Sequence, residues 1–121
     1  MLNVCVVDPD LEELFFIKDC LLDSEFSLTA CHHSLFLGVA DNPVDAAIIS
    51  LKQDYSNGFA ISRQLRAVYP SIKIILTSNL DLCHFEGTIL SVGMADIVMH
   101  KPHTRTELIC ALRTITVTKE I

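Results

Sequence analysis

The chain has 121 residues, half of them hydrophobic, with 15 acidic against 9 basic side chains and a formal net charge of -6. That length and apolar content suit one domain around one core, and the acidic balance without a Lys/Arg cluster excludes the electrostatic footprint of a nucleic-acid binder. No apolar stretch approaches the ~20 residues of a membrane span, and Met1-Leu2-Asn3-Val4 leads straight into a strand-like run without a basic leader, so a cytoplasmic protein is expected.

The first predicted strand is Leu2 to Val7, apolar throughout as a strand buried on both faces should be. Asp10 to Asp23 follows with helical spacing, its apolar stripe read as Leu11, Leu14, Phe15, Leu21 and Leu22. Asp10 with Glu13 three residues later has the pattern of a capping box, and Pro9 stiffens the entry. Phe26 to Cys31 is the second strand and Ser34 to Ala40 a short helix. The third strand, Ala46 to Ser50, runs into a loop, Leu51 to Asn57, and a helix from Gly58 to Tyr69 with Phe59, Ile61, Leu65 and Val68 inward, stopped by Pro70. Ile72 to Thr77, Cys83 to Val92, Asp96 to His100 and Thr104 to Thr116 complete the series as strand, helix, strand and helix.

Strand-length apolar runs alternating with helix-length amphipathic segments define an α/β protein. Right-handed crossovers fold such a chain into a doubly wound (βα)5 sandwich, whose five-stranded parallel sheet takes the order 2-1-3-4-5. Functional groups then lie where strands end, and Asp8, Ser50, Thr77 and Lys101 end strands one, three, four and five.

Five cysteines, Cys5, Cys20, Cys31, Cys83 and Cys110, fall irregularly within apolar patterns and are read as reduced core thiols. His32-His33 has no further ligand spaced to help it and is read as a turn, so no metal site and no cofactor are expected.

The segments Val6-Val7-Asp8, Ile48-Ile49-Ser50 through Asn57-Gly58, Ile75-Leu76-Thr77-Ser78, and Ala95-Asp96 through Lys101-Pro102 resemble, in order and separation, the receiver domain of bacterial response regulators. The resemblance covers nearly the whole chain and implies a flavodoxin-like, CheY-like fold. It makes residues 1–121 one receiver-like domain, either free-standing or the N-terminal part of a longer regulator. Receivers take a phosphoryl group from a histidine kinase onto an aspartate ending strand three. Mg²⁺, held by that aspartate and an acid pair after strand one, assists, and a hydroxylated residue and a lysine grip the phosphoryl oxygens. By this resemblance Thr77 is the hydroxylated residue, Lys101 the lysine and Asp8 the first acid, while Ser50 falls on the acceptor and Pro9 on the second acid.

Both departures disable the same chemistry. A serine hydroxyl needs an adjacent base to act as nucleophile, and His100 should point away from Lys101 because strand side chains alternate. A catalytic role for Ser50 served by His32, His33 or His84 has no GxSxG elbow behind it, and no enzyme is expected. Asp8 alone is a poor Mg²⁺ cage. Opposite charges ~4 Å apart attract by about 4 kcal/mol at an effective dielectric of ~20, so Lys101 should pair with Asp8. Val98 occupies the place of the aromatic residue that moves on activation in phosphorylated receivers.

The expectation is an atypical or pseudo-receiver, acting in signal transduction without aspartyl phosphorylation, through a protein partner or homodimer, and controlling an attached transcriptional output domain. The resemblance places its contact surface on the fourth helix, fifth strand and last helix. There Asp96 and Glu107 match acidic positions and Arg113 a basic one, another basic position is Ala111, and Leu108 adds an apolar contact. The alternative is a sensor whose crevice binds a small molecule or anion through Lys101, Thr77 and Ser50. Neither direct nucleic-acid contact nor membrane attachment is expected of this domain.

Overall fold

A computed structural model describes residues 2–8, 10–31, 44–51, 55–78, 93, 95–101 and 103–117. In chain order these form β1 (Leu2–Val7), α1 (Leu11–Leu21), β2 (Phe26–Cys31), β3 (Ala46–Leu51), α2 (Tyr55–Val68), β4 (Lys73–Ser78), β5 (Ile97–His100) and α3 (Arg105–Val117). The predicted helices Ser34 to Ala40 and Cys83 to Val92 lie outside the described residues, as do Pro9, His32, His33, Cys83 and His84.

All neighbouring strands pair in parallel, and the sheet order is β2-β1-β3-β4-β5, as the alternation of elements predicted. The strands read as unbroken apolar runs because both faces are covered. Cys5, Val7, Ile49, Ile74 and Leu76 pack toward α2, where Ile61 and Leu65 meet them. Val4, Val6, Ile48 and Ile75 pack the other way, against Ile17 and Leu21 of α1 and Leu108, Leu112 and Ile115 of α3. Strand side chains alternate, so one strand supplies both cores.

Side chains also tie down the N-terminal edge of the sheet. Asp45 accepts from the Asn3 N–H through Oδ2 at 2.8 Å. Asp96 does the same for the Ile74 N–H at 2.8 Å and receives the Arg66 guanidinium at 3.1 Å.

Several expectations change. The buried face of α1 is Ile17, Cys20 and Leu21 with Leu14 packed against it, whereas Leu11, Phe15 and Leu22 are exposed, Phe15 by 62%. Leu14, Ile17 and Leu21 follow one another at i, i+3 and i+7 and form one narrow face; Leu11, Phe15 and Leu22 lie on another. α2 begins at Tyr55 instead of Gly58, and β3 extends to Leu51. Val68 is exposed, and Tyr69, four residues after Leu65, packs on the core in its place. Cys5 and Cys20 are buried thiols, and burial pushes the Cys20 thiol up; Cys110 is exposed and is no core residue.

The helix caps differ as well. Asp10 caps α1 by accepting from the Glu12 N–H at 2.9 Å, while its own N–H goes to Asp8 Oδ1 at 2.9 Å, so Glu13 does not close a capping box. The reciprocal box forms at α3. Thr104 Oγ1 accepts from the Glu107 N–H at 3.1 Å and Glu107 Oε1 from the Thr104 N–H at 2.9 Å.

Leu108→Ala is expected to cost about 2–5 kcal/mol, because Leu108 is fully buried between α3 and the sheet. Phe15→Ala should stay within about 0.5 kcal/mol. Urea unfolding of the two variants checks both, and a large loss at Phe15 would contradict this assignment of the faces.

Candidate functional site at the strand ends

The site follows from alternation carried one step beyond the strands. Val6, Ile48, Ile75, Ile97 and Met99 face α1 and α3. Asp8, Ser50, Thr77 and Lys101 are each two residues past one of these, so their side chains emerge on the same face. The register agrees, pairing Ser50 with Thr77 and Thr77 with Met99. The Lys101 N–H continues the β4–β5 ladder by donating to the Ser78 carbonyl at 2.7 Å.

Three of the four residues touch. Lys101 Nζ donates to Asp8 Oδ2 at 3.1 Å and to Ser50 Oγ at 2.8 Å. Asp8 is 1% exposed, and the Lys101 side chain is also buried. The second carboxylate oxygen of Asp8 accepts the Asp10 N–H. Glu13 Oε2 is 4.0 Å from Lys101 Nζ, an approach that the sequence reading missed because it assigned Glu13 to the cap. Thr77 is brought to the site but not into this set of bonds: its Oγ1 is buried and has no hydrogen-bond partner among the described residues. His100 is exposed, one residue out of phase with Lys101.

These residues do not fit a Mg²⁺ ion. Such an ion is held through carboxylates and water, and here the Asp8 carboxylate, the one at the strand ends among the described residues, has an ammonium on one oxygen and a backbone N–H on the other. Position 9, beside Asp8, is a proline. Among the described residues no group of three His, Cys, Asp or Glu side chains is placed for a metal ion. Ser50 Oγ accepts from the Lys101 ammonium, and among the described residues no side chain accepts its hydroxyl proton as a general base would.

Val98 is buried in the core on the α2 side, where it packs as an ordinary strand residue. The surface residues expected at a contact are distributed as follows. Leu108 is fully buried against the sheet and is withdrawn as a contact residue, because α3 needs it to cover β1 and β3. Asp96 holds β4 and Arg66, and Glu107 holds the α3 cap, whose hydrogen bonds from Thr104 keep its carboxyl below the usual range. Arg113 reaches Glu25 just before β2, at the sheet edge opposite β5.

Among solved structures, the chain resembles a response regulator receiver domain protein from Clostridium thermocellum, with a TM-score of 0.85 and 19% identity over 99% of this chain and 98% of that one. It also resembles the signal receiver domain of an HD domain-containing protein from Pseudomonas fluorescens Pf-5, with a TM-score of 0.83 and 19% identity over 98% of this chain and 89% of the other. A structure described as adenylate cyclase from Rhodopirellula baltica matches with a TM-score of 0.83 and 16% identity, over 98% and 93% of the two chains. No protein-family model and no curated protein sequence matches the chain. The fold is the CheY-like fold of response-regulator receiver domains.

Two outcomes are expected. Lys101→Met leaves the buried Asp8 carboxylate without its cation and should cost about 3–5 kcal/mol, whereas Asp8→Asn combined with Lys101→Met should cost less than Lys101→Met alone. Urea unfolding of the single and double variants decides this, and a double variant weaker than the single would refute it. At the surface, hydrogen bonds from Arg113 hold the Glu25 carboxyl at about 2, against an ordinary 4.5. Because folding lowers this value, the pair stabilises the fold above the ordinary carboxylate range, and its contribution fades as pH falls from 4.5 through about 2. In Arg113→Ala, a carboxyl-carbon NMR titration should find Glu25 back near 4.5.

Proposed function

We propose that this chain is a pseudo-receiver, a regulatory and interaction domain of receiver type that operates without aspartyl phosphorylation. The observation that carries the reading is the Lys101 ammonium, hydrogen-bonded to Asp8 and to Ser50 where receivers present an acceptor carboxylate. Retention of the lysine, hydroxyl and first-acid positions supports receiver ancestry. The serine at position 50, the proline at position 9 and the valine at position 98 remove acceptor, second metal acid and switch aromatic together.

In this reading the domain works in the cytoplasm by binding a protein partner or a second copy, and passes its state to an attached output domain. The contact surface lies on β5 and α3, to which the receiver resemblance adds the fourth predicted helix, outside the described residues. Asp96, Glu107 and Arg113 each have a partner within the chain. Ion pairs across such a contact would compete with the existing pairs of Asp96 and Arg113 and with the cap bonds of Glu107, so it would gain little from charge and must draw on apolar burial.

A second reading, an anion or small-molecule sensor in the same crevice, rests on Thr77 Oγ1, a buried hydroxyl without a partner among the described residues. Asp8 weighs against it, since a carboxylate against Lys101 already supplies the negative charge that an anion would bring.

The test is treatment with acetyl phosphate, and separately with beryllofluoride, each with Mg²⁺. Intact mass and the amide NMR spectrum are expected to stay unchanged; a mapped acyl phosphate or a Mg²⁺-dependent shift at Asp8 would end the proposal. Phosphate and acetate in the same titration separate the sensor reading, which requires saturable shifts at Thr77 and Lys101. Ser50→Asp alone should remain a poor phosphoryl acceptor until Pro9 is also replaced by an acid, because one restored carboxylate still leaves the metal short of ligands.

A further inference from the structure

β2 is the last strand of the sheet on the side away from β5, and among the described strands none lies beyond it. Its sequence, Phe26 to Cys31, holds no charge and no proline, the usual safeguards of an open edge. The Leu2 N–H donates to the Glu25 carbonyl at 3.1 Å, so by the alternation of a parallel ladder Ser27 and Thr29 also turn their backbone groups to β1. Phe26, Leu28 and Ala30 turn theirs outward. Ser24 Oγ accepts the Phe26 N–H at 3.1 Å and so closes the outward row at its start.

α1 overhangs this edge. It covers the β1–β2 pair, where Ile17 and Leu21 pack with Val4, Val6 and Phe26. Val68 apart, every exposed large hydrophobic among the described residues lies on α1 or at its C-cap, Leu22. Phe16 is turned toward His103, in the link that leads to α3. Leu11, Phe15 and Leu22, each more than half exposed, form a stripe with Lys18 on the β2 side instead. There Lys18 and Leu22 wall a cavity of about 450 Å³ together with Leu21, Phe26, Ser27 and Leu28. The stripe steps by four, three and four residues, the spacing of a helix seam, and reads the same in both directions.

We propose that the β2 edge and α1 form a two-fold contact between two copies of this chain. The β2 strands run antiparallel about Leu28, whose N–H donates to the Leu28 carbonyl of the other copy, and each Ala30 N–H reaches the opposite Phe26 carbonyl. Two strand spacings of about 4.8 Å then separate the two α1 axes by about 10 Å, a packing distance for helices. Antiparallel helices at that distance set Leu11 against Leu22 and Phe15 against Lys18, because the stripe is palindromic. Lys18, the stripe's single charge, comes over the Phe15 ring of the other copy and within a turn of its Glu12 and Asp19, so charge and shape both suit a second copy. The Phe15 ring meets the mouth of the opposite cavity between Lys18 and Leu28. This contact lies at the sheet edge opposite β5 and does not rest on the pseudo-receiver reading.

The experiment is sedimentation equilibrium of the full chain from about 1 to about 500 μM, with isotope-filtered NMR on a mixture of labelled and unlabelled copies. A monomer–dimer equilibrium is expected, with cross-copy contacts between the α-protons of Ser27 and Thr29, the close pair that flanks Leu28. F15K sets two ammonium groups face to face, and K18E sets a carboxylate beside Glu12 and Asp19, so each should weaken the dimer at least about tenfold. Val68→Ser on α2 and His100→Glu on β5 should dimerise like the parent. A strict monomer over the whole range would overturn the proposal. So would a dimer that F15K and K18E leave unchanged, one that His100→Glu abolishes, or one without the contact between Ser27 and Thr29. All four substituted side chains are exposed, so the variants test the contact and leave the core intact.

Discussion

Alternation along parallel strands is the constraint on which the site depends. Each central strand is buried on both faces, and the residues facing α1 and α3 follow one another at every second position. Extended past the strand ends, that period delivers a carboxylate, two hydroxyls and an ammonium to one face of one edge. A slip of one residue in β3 would place Leu51 where Ser50 stands and send the serine to the α2 side. The apolar filling of both faces resists that slip, so the packing of Ile48 and Ile49 fixes the chemistry of the crevice as well as the stability of the sheet.

At that edge, charge decides what the crevice can do. One buried carboxylate faces one buried ammonium, with a neutral hydroxyl completing the ammonium's contacts. An acid in place of Ser50 would give two carboxylates against one lysine, an imbalance that invites a cation. The serine removes the imbalance and with it the electrostatic reason for a metal to bind. A buried pair of this kind adds little stability over an apolar replacement, yet losing either member leaves a bare charge in a low-dielectric place. The pair therefore constrains substitution more strongly than its net contribution to stability would suggest.

The strands and their order were legible because a doubly buried strand has a simple pattern. Helix faces were less so. In α1 apolar residues occupy most positions, and Leu11, Phe15 and Leu22 look as suitable for a core as Leu14, Ile17 and Leu21; only the neighbouring sheet selects between them. The four strand-end residues were legible from their positions, whereas their bonds were not, since Lys101 meets Ser50 and Asp8 across 51 and 93 residues of chain. His103 carries no local signature. Its environment comes from α1, and nothing in Lys101-Pro102-His103 announces an imidazole with both nitrogens buried. Leu108 shows the converse error: it reads as an apolar contact because it lies beside the charged positions of α3, while the period of that helix turns its side chain into the core.

The two helix starts at this edge connect these observations. Both carry a capping residue followed three positions later by glutamate, and only Glu107 closes the box. At α1 the N–H that Glu13 would have accepted is taken by Asp8, which ends β1 two residues earlier. Asp8 thereby does two structural jobs: one oxygen fixes the turn into α1 and the other holds Lys101 at the far side of the sheet. Displaced from the cap, Glu13 stands at the outer reach of Lys101. Asp8 and Lys101 therefore have a use in the fold that requires neither phosphate nor metal. Their presence beside Ser50 is accounted for by the joining of β1, α1 and β5, and is no sign by itself of a working phosphorylation site.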